Sequence, residues 1–134
     1  MSRALALLIV ACTGLAACGG GAADSREDAA QTIRDFVQAT NERDADKFCD
    51  EVVSQEFLEE ATGAKGDKAG EACKRLLKNT KNPRVKLIRI KRTEVDGDKA
   101  NVTAVIEAQG QTLTQLLRLK QEDGRWKIAG GSGN

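Results

Sequence analysis

The chain has 134 residues, with 21 Lys and Arg against 20 Asp and Glu, one Trp, three Phe, no Tyr and no His. A balance this even excludes a nucleic-acid binder built on phosphate neutralisation, and four aromatic side chains are too few for a base-stacking platform. The missing His and Tyr also remove the usual near-neutral proton carrier and the usual phenolic donor.

The amino terminus is a targeting segment. Met1 and Arg3 carry positive charge, Ala4 to Ala11 is uninterrupted apolar sequence, and small residues follow, which is the layout of a secretory signal. The run is too short for a membrane span, which needs about 20 apolar residues. Leu15-Ala16-Ala17-Cys18 resembles the lipobox of bacterial lipoproteins. That resemblance implies cleavage before Cys18, acylation of its thiol and export across the cytoplasmic membrane to a lipid-anchored position on its outer face, in the cell envelope or periplasm. The expected organisation is a signal peptide over 1–17, a lipidated tether over 18–23, one domain over 24–130 and a polar tail over 131–134. Plain signal cleavage near Ala17 or Ala23 is the alternative.

Cys12 leaves with the signal and Cys18 takes the lipid, so Cys49 and Cys73 remain as an even pair in an oxidising compartment. A disulfide is expected there, with Cα atoms about 4.4 to 6.8 Å apart. Metal ligation is the alternative, but two thiolates without a histidine make a poor zinc site. No metal or other cofactor is expected.

Asp24 and Ser25 are placed to cap a first helix, with Ala29, Ile33, Phe36, Val37 and Thr40 recurring at helical spacing. Asp44 is placed to cap a second helix carrying Phe48, Cys49, Val52 and Val53. A third helix follows Ser54 with Phe57, Leu58 and Ala61, and a glycine-containing loop covers Thr62 to Gly70. Asp67 opens a fourth helix with Ala69, Ala72, Cys73, Leu76 and Leu77 inward, which Asn79 to Pro83 stops.

After Pro83 the apolar period becomes two, the period of strands. Arg84 to Val95 is the first strand, Asp96-Gly97-Asp98 turns into a second over Ala100 to Ala108, and Gln109-Gly110-Gln111 turns into a third ending near Lys120. Asp123-Gly124 then turns into Trp126 and Ile128. In "RVKLIRIKR", Val85 and Leu87 share one parity and Ile88 and Ile90 the other, so a regular strand cannot bury all four on one face. A β-bulge near Leu87-Ile88 is expected, turning Val85, Leu87 and Ile90 toward the helices and Arg89 and Lys91 outward. The alternative is a straight strand whose apolar outer patch docks a second subunit.

Helices followed by an antiparallel meander predict an α+β domain. The order, with "FVQATNERDADKFCDEV" early and "EDGRWKI" late, resembles the nuclear transport factor 2-like superfamily. The resemblance spans about residues 25 to 129. It implies a cone-shaped fold with amino-terminal helices packed on a curved antiparallel sheet, and a cavity that some members use for catalysis and others for binding. Enzymatic members place Asp, His or Tyr in that cavity, so with two of those three types absent no catalytic residue carries over.

Glu107 is the best remaining acid/base, mid-strand in "AVIEAQ", although it shares a face with Asn101, Thr103 and Gln109. Asp44-x-Asp46 and Asp96-Gly97-Asp98 lack the further oxygens of a calcium loop and read as a cap and a turn. Charge is uneven along the chain. Asp24 to Glu60 holds twelve acids against four bases, whereas Lys74 to Arg92 holds Lys74, Arg75, Lys78, Lys81, Arg84, Lys86, Arg89, Lys91 and Arg92 and no acid. That stripe either pairs with the acidic helices or faces anionic lipid or wall polymer. The expected function is a membrane-anchored, non-catalytic binding domain whose partners are the membrane and an envelope protein, polymer or small apolar ligand. A dimer is the alternative oligomeric state. A hydro-lyase or isomerase using a pocket carboxylate is the alternative activity.

Overall fold

In the computed structural model, which describes residues 21–81 and 84–133, the helical spacings become α1 (Gly21–Glu42), a π-helical turn (Lys47–Val52), α2 (Gln55–Thr62) and α3 (Asp67–Asn79). The strand spacings become β1 (Val85–Asp96), β2 (Lys99–Ala108), β3 (Gln111–Glu122) and β4 (Arg125–Gly133), one antiparallel sheet in the order β1-β2-β3-β4. Cys18 and the lipobox lie outside the described residues.

Residues 21–23 of the expected tether are already helical, ahead of the expected caps at Asp24 and Ser25. Ala22 and Ala23 explain the extension, since alanine carries the highest helix propensity. Ala29 and Ile33 are fully buried, joined by Ala30, Thr32 and Ala39. Thr32 is buried because its hydroxyl reaches the Trp126 carbonyl at 3.1 Å, fixing α1 to β4. Asp44 does cap the next element, its carboxylate accepting from Lys47 N at 3.0 Å. Asp46 is taken by an ion pair with Lys74 instead.

Ser54 is completely buried and caps α2 through Phe57 N at 3.2 Å. Its own amide donates to the Ile128 carbonyl at 2.9 Å, beside a parallel bridge between Val53 and Ile128, so this segment lines the β4 edge. Glu122, reaching over from β3, accepts from Gln55 N at 3.1 Å and from Lys127 Nζ at 3.3 Å. Lys127 also donates to the Asp50 carbonyl at 3.0 Å, which ties β4 to the π-helical turn and explains why this lysine is buried. Cys49 and Cys73 form a disulfide, Cα to Cα 6.1 Å, between the π-helical turn and α3.

The α2–α3 loop is closed by Glu59. Its carboxyl is held at about 2, against an ordinary 4.5, first by the Gly66 amide and then by Gln55 and Lys65. A carboxyl with a depressed folded pKa contributes stability above its unfolded pKa and loses it as pH falls through the folded one. Amide exchange at Gly66 is therefore expected to accelerate between about pH 4.5 and pH 2, and Glu59→Gln should abolish that pH dependence.

The expected bulge is present. The β1–β2 register shifts between Leu87 and Arg89, and Val85, Leu87 and Ile90 pack on the core while Ile88, Arg89 and Lys91 are exposed. A second shift lies between Ile90 and Arg92. The first bulge alone would have turned Arg92 and Glu94 inward. The second returns Thr93 and Val95 to the core, opposite Val102 and Ala100. Both bend the strand and curl the sheet around α1.

The segment expected to be a polar tail is a strand. Gly131, Ser132 and Gly133 pair with Leu117, Leu116 and Gln115, after a register shift that bulges β4 at Ala129. Glycine is a weak strand former, and the ladder to β3 supplies the order that local propensity does not. The sealed centre holds Ile33, Val53, Val102 and Leu119, each such side chain contributing about 1.5–3 kcal/mol on burial.

Candidate ligand cavity

Phenylalanine belongs with Ile, Val and Leu among the side chains most often fully buried. Here Phe36, Phe48 and Phe57 are all only half-buried, while Ile33, Val53 and Leu119 are closed to solvent. The three rings converge from α1, the π-helical turn and α2 on one cavity of about 290 Å³, floored by Val53, Leu117 and Ile128. Phe36 and Phe48 meet with ring centroids 5.6 Å apart, tilted by 42°. Gln115, Gly130, Gly131 and Ser132 complete the wall on the sheet side.

The π-helical turn makes this convergence possible. A π turn inserts extra backbone relative to an α-helix, and here Cys49, the next residue after Phe48, is pinned by the disulfide to α3. The cap at Asp44 and the Lys127 hydrogen bond to Asp50 hold its two halves.

Among the described residues no ionisable side chain lines the cavity; its polar side chains are those of Gln115 and Ser132. It offers apolar burial and ring stacking with two neutral hydrogen-bonding groups. An apolar cavity of about 150 Å³ already takes up benzene, so this one has room for a larger ring system.

Glu107 is not brought to it. That carboxylate stands on the outer face of the sheet, opposite in parity to the buried Val102, Ala104 and Ile106, in a surface groove with Arg84 and Lys86 and across the ladder from Lys86. Among the described residues, the carboxyls held below their ordinary range are Asp46, beside Lys74, Glu56, beside Lys120, and Glu59 in its loop. None of them lines the cavity. Among the described residues no group of three His, Cys, Asp or Glu side chains is arranged to hold a metal. A second cleft, lined by Asp28, Thr32, Glu51, Arg125 and Trp126, is polar, and it borders the Trp126 indole, whose buried N–H has no partner.

Helices over a curled four-stranded meander, with a cavity between them, define a fold found in several solved structures. A nuclear transport factor 2-like protein of unknown function from Shewanella oneidensis matches with a TM-score of 0.57 and 19% identity, over 80% of this chain and 96% of that one. This chain has the nuclear transport factor 2-like fold. A second protein of that kind and of unknown function, from Shewanella baltica, matches with a TM-score of 0.59 and 10% identity over 87% and 97% of the two chains. A candidate ketosteroid isomerase from Kribbella flavida matches with a TM-score of 0.51 and 16% identity over 82% and 80%. No family model and no curated protein matches the sequence.

The convergence of Phe36, Phe48 and Phe57 was not visible in the sequence, where each reads as an ordinary core position at helical spacing. The available signal was compositional: all the phenylalanines fall within the 22 residues from 36 to 57.

Proposed function

We propose that this chain is an exported lipoprotein, acylated at Cys18, whose domain holds a small uncharged apolar molecule in the phenylalanine cavity without transforming it. The cavity lining carries the reading: three aromatic rings and, among the described residues, no group able to take or give a proton near neutral pH. An isomerase or hydro-lyase of the kind seen elsewhere in this fold requires a positioned acid or base, and Glu107, the best remaining acid/base, faces away from the cavity. The lipobox supports the anchor, and the Cys49–Cys73 disulfide accords with an oxidising compartment.

Calorimetric titration with naphthalene tests the binding half. Saturable uptake with a negative heat-capacity change supports it, and no uptake contradicts it. For the anchor, Cys18→Ala should move the protein from the membrane fraction to the soluble fraction and remove the acyl mass from its amino terminus. Unchanged partitioning and an unacylated wild-type terminus would refute it.

A further inference from the structure

The nine-base stripe from Lys74 to Arg92 has two readings, pairing with the acidic helices or facing an outside anion. Among the described residues Lys74 pairs with Asp46 and Asp50, and Arg92 pairs with Glu94. The other seven bases make no ion pair there.

The fold gathers most of them at one end. Asn41, near the end of α1, brackets Val85 at the start of β1, donating to its carbonyl at 2.7 Å and accepting from its amide at 2.8 Å. Arg43 donates to the Thr80 carbonyl at 2.9 Å, just past the end of α3. Three segments are thus stapled together, and Arg43, Lys78, Lys81, Arg84 and Lys86 are all exposed around them. Arg75, one turn back on α3, and Arg89 and Lys91, farther along β1, extend the patch. Glu42 and Glu107 line the groove beside Arg84 and Lys86, and the carboxyl ends of α1 and α3 add about half a negative charge each. Counted with Asp44 beside Arg43 and Glu71 one turn before Arg75, they still leave this end net positive.

The opposite end carries the reverse sign. The start of α1 lies by the β3–β4 turn, where Asp28 shares a cleft with Gly124 and Arg125. Asp24, Glu27, Asp28, Asp96, Asp98 and Asp123 are exposed at this end, against Arg26, Lys99 and Arg125. The domain is therefore an electrical dipole whose axis follows α1.

Taken with the anchor at Cys18, which belongs to the reading above, this polarity has a direction. Cys18 lies three residues before Gly21, within about 10 Å of chain even when fully extended. The acidic end then lies next to the lipid headgroups. With α1 along the membrane normal, the basic end stands off by the length of a 22-residue helix, about 33 Å at 1.5 Å per residue. That is about four Debye lengths at physiological ionic strength, so a charge there does not sense the membrane surface.

We infer that the basic end docks an anionic polymer of the cell envelope beyond the membrane, one bearing a phosphate or carboxylate on each repeat, along the groove beside Arg84 and Lys86. Exposed lysines and arginines suit a repeating flexible anion, whose bound counterions are released on contact.

The test uses the chain from residue 18 onward carrying Cys18→Ser, which keeps every described element and needs no anchor. Long-chain polyphosphate is the polymer probe, and phosphatidylglycerol vesicles are the lipid probe. The expected result is saturable polyphosphate binding that weakens as salt rises. Combined Lys81→Gln, Arg84→Gln and Lys86→Gln should weaken it at least tenfold, while combined Arg26→Gln and Lys99→Gln at the acidic end should leave it unchanged. No binding, an equal loss in both variants, or vesicle binding as tight as polymer binding would overturn the inference. Because the chain tested is unanchored and the cavity is untouched, none of these outcomes depends on the acylation of Cys18 or on uptake of an apolar ligand.

Discussion

Replacing Cys49 and Cys73 together by alanine is expected to destabilise the domain by about 3.5 kcal/mol, the chain-entropy value for a loop of about 25 residues. The bond spans a sequence separation of 24, so the unfolded chain gains much freedom when it is lost. Both cysteines are buried in the core cluster, and truncating their sulfurs leaves unfilled space. Set against a typical total stability of about 5–15 kcal/mol, the loss should lower the thermal midpoint by roughly 10–20 °C. Among the described residues the π-helical turn then keeps only the surface Lys74–Asp50 ion pair to α3 as its charged tie, which loosens Phe48, so apolar uptake should weaken as well. Thermal unfolding followed by circular dichroism, with and without reductant, measures this. A shift of the midpoint below about 3 °C would mean that packing alone fixes the turn.

Gly131→Val should lower the affinity for an apolar ligand by about 10- to 100-fold, the range for adding or removing a methylene or two in a hydrophobic pocket. Gly131 faces inward opposite Leu117 on the sheet wall of the cavity. A Cβ built there meets Leu117 Cδ2 at 3.1 Å, closer than ordinary van der Waals contact. Gly131 and Leu117 both line the cavity, so the added isopropyl group itself takes up ligand volume, while valine favours the strand. The expected signature is a large loss of binding with a thermal midpoint within a few degrees of wild type. Equal affinity in the variant would place the ligand elsewhere.

The sequence was legible where one physical signal dominated. The switch from helical to strand period at Pro83, the Asp-Gly turn at Asp123-Gly124 and the parity conflict in "RVKLIRIKR" each have a single structural solution, and the helices, the hairpin and the bulge at Ile88 follow. The second bulge at Lys91 was equally forced by Thr93 and Val95, but only once the first is counted. Two features were hidden because tertiary contact overrides local preference. "GGSG" reads as a tail because glycine is a poor strand former, yet the ladder to β3 orders it. Lys127 reads as a solvated strand residue, yet Glu122 and the Asp50 carbonyl meet its ammonium group. The cavity was hidden for a further reason. A ring that lines a hole and a ring that fills a core occupy the same helical positions, and the half-burial of Phe36, Phe48 and Phe57 separates the two only in three dimensions.

The chain's composition allows a direct test of the cavity. With three phenylalanines and no tyrosine, selective carbon-13 labelling of phenylalanine gives ring resonances from Phe36, Phe48 and Phe57 alone. Titration of the labelled protein with naphthalene should shift all three sets together along one saturation curve, leaving the Trp126 indole N–H in place, and naphthalene-2-sulfonate should bind more weakly because no cation among the described residues lines the cavity. Three unmoved phenylalanine signals, or tighter binding of the sulfonate, would contradict an uncharged-ligand cavity.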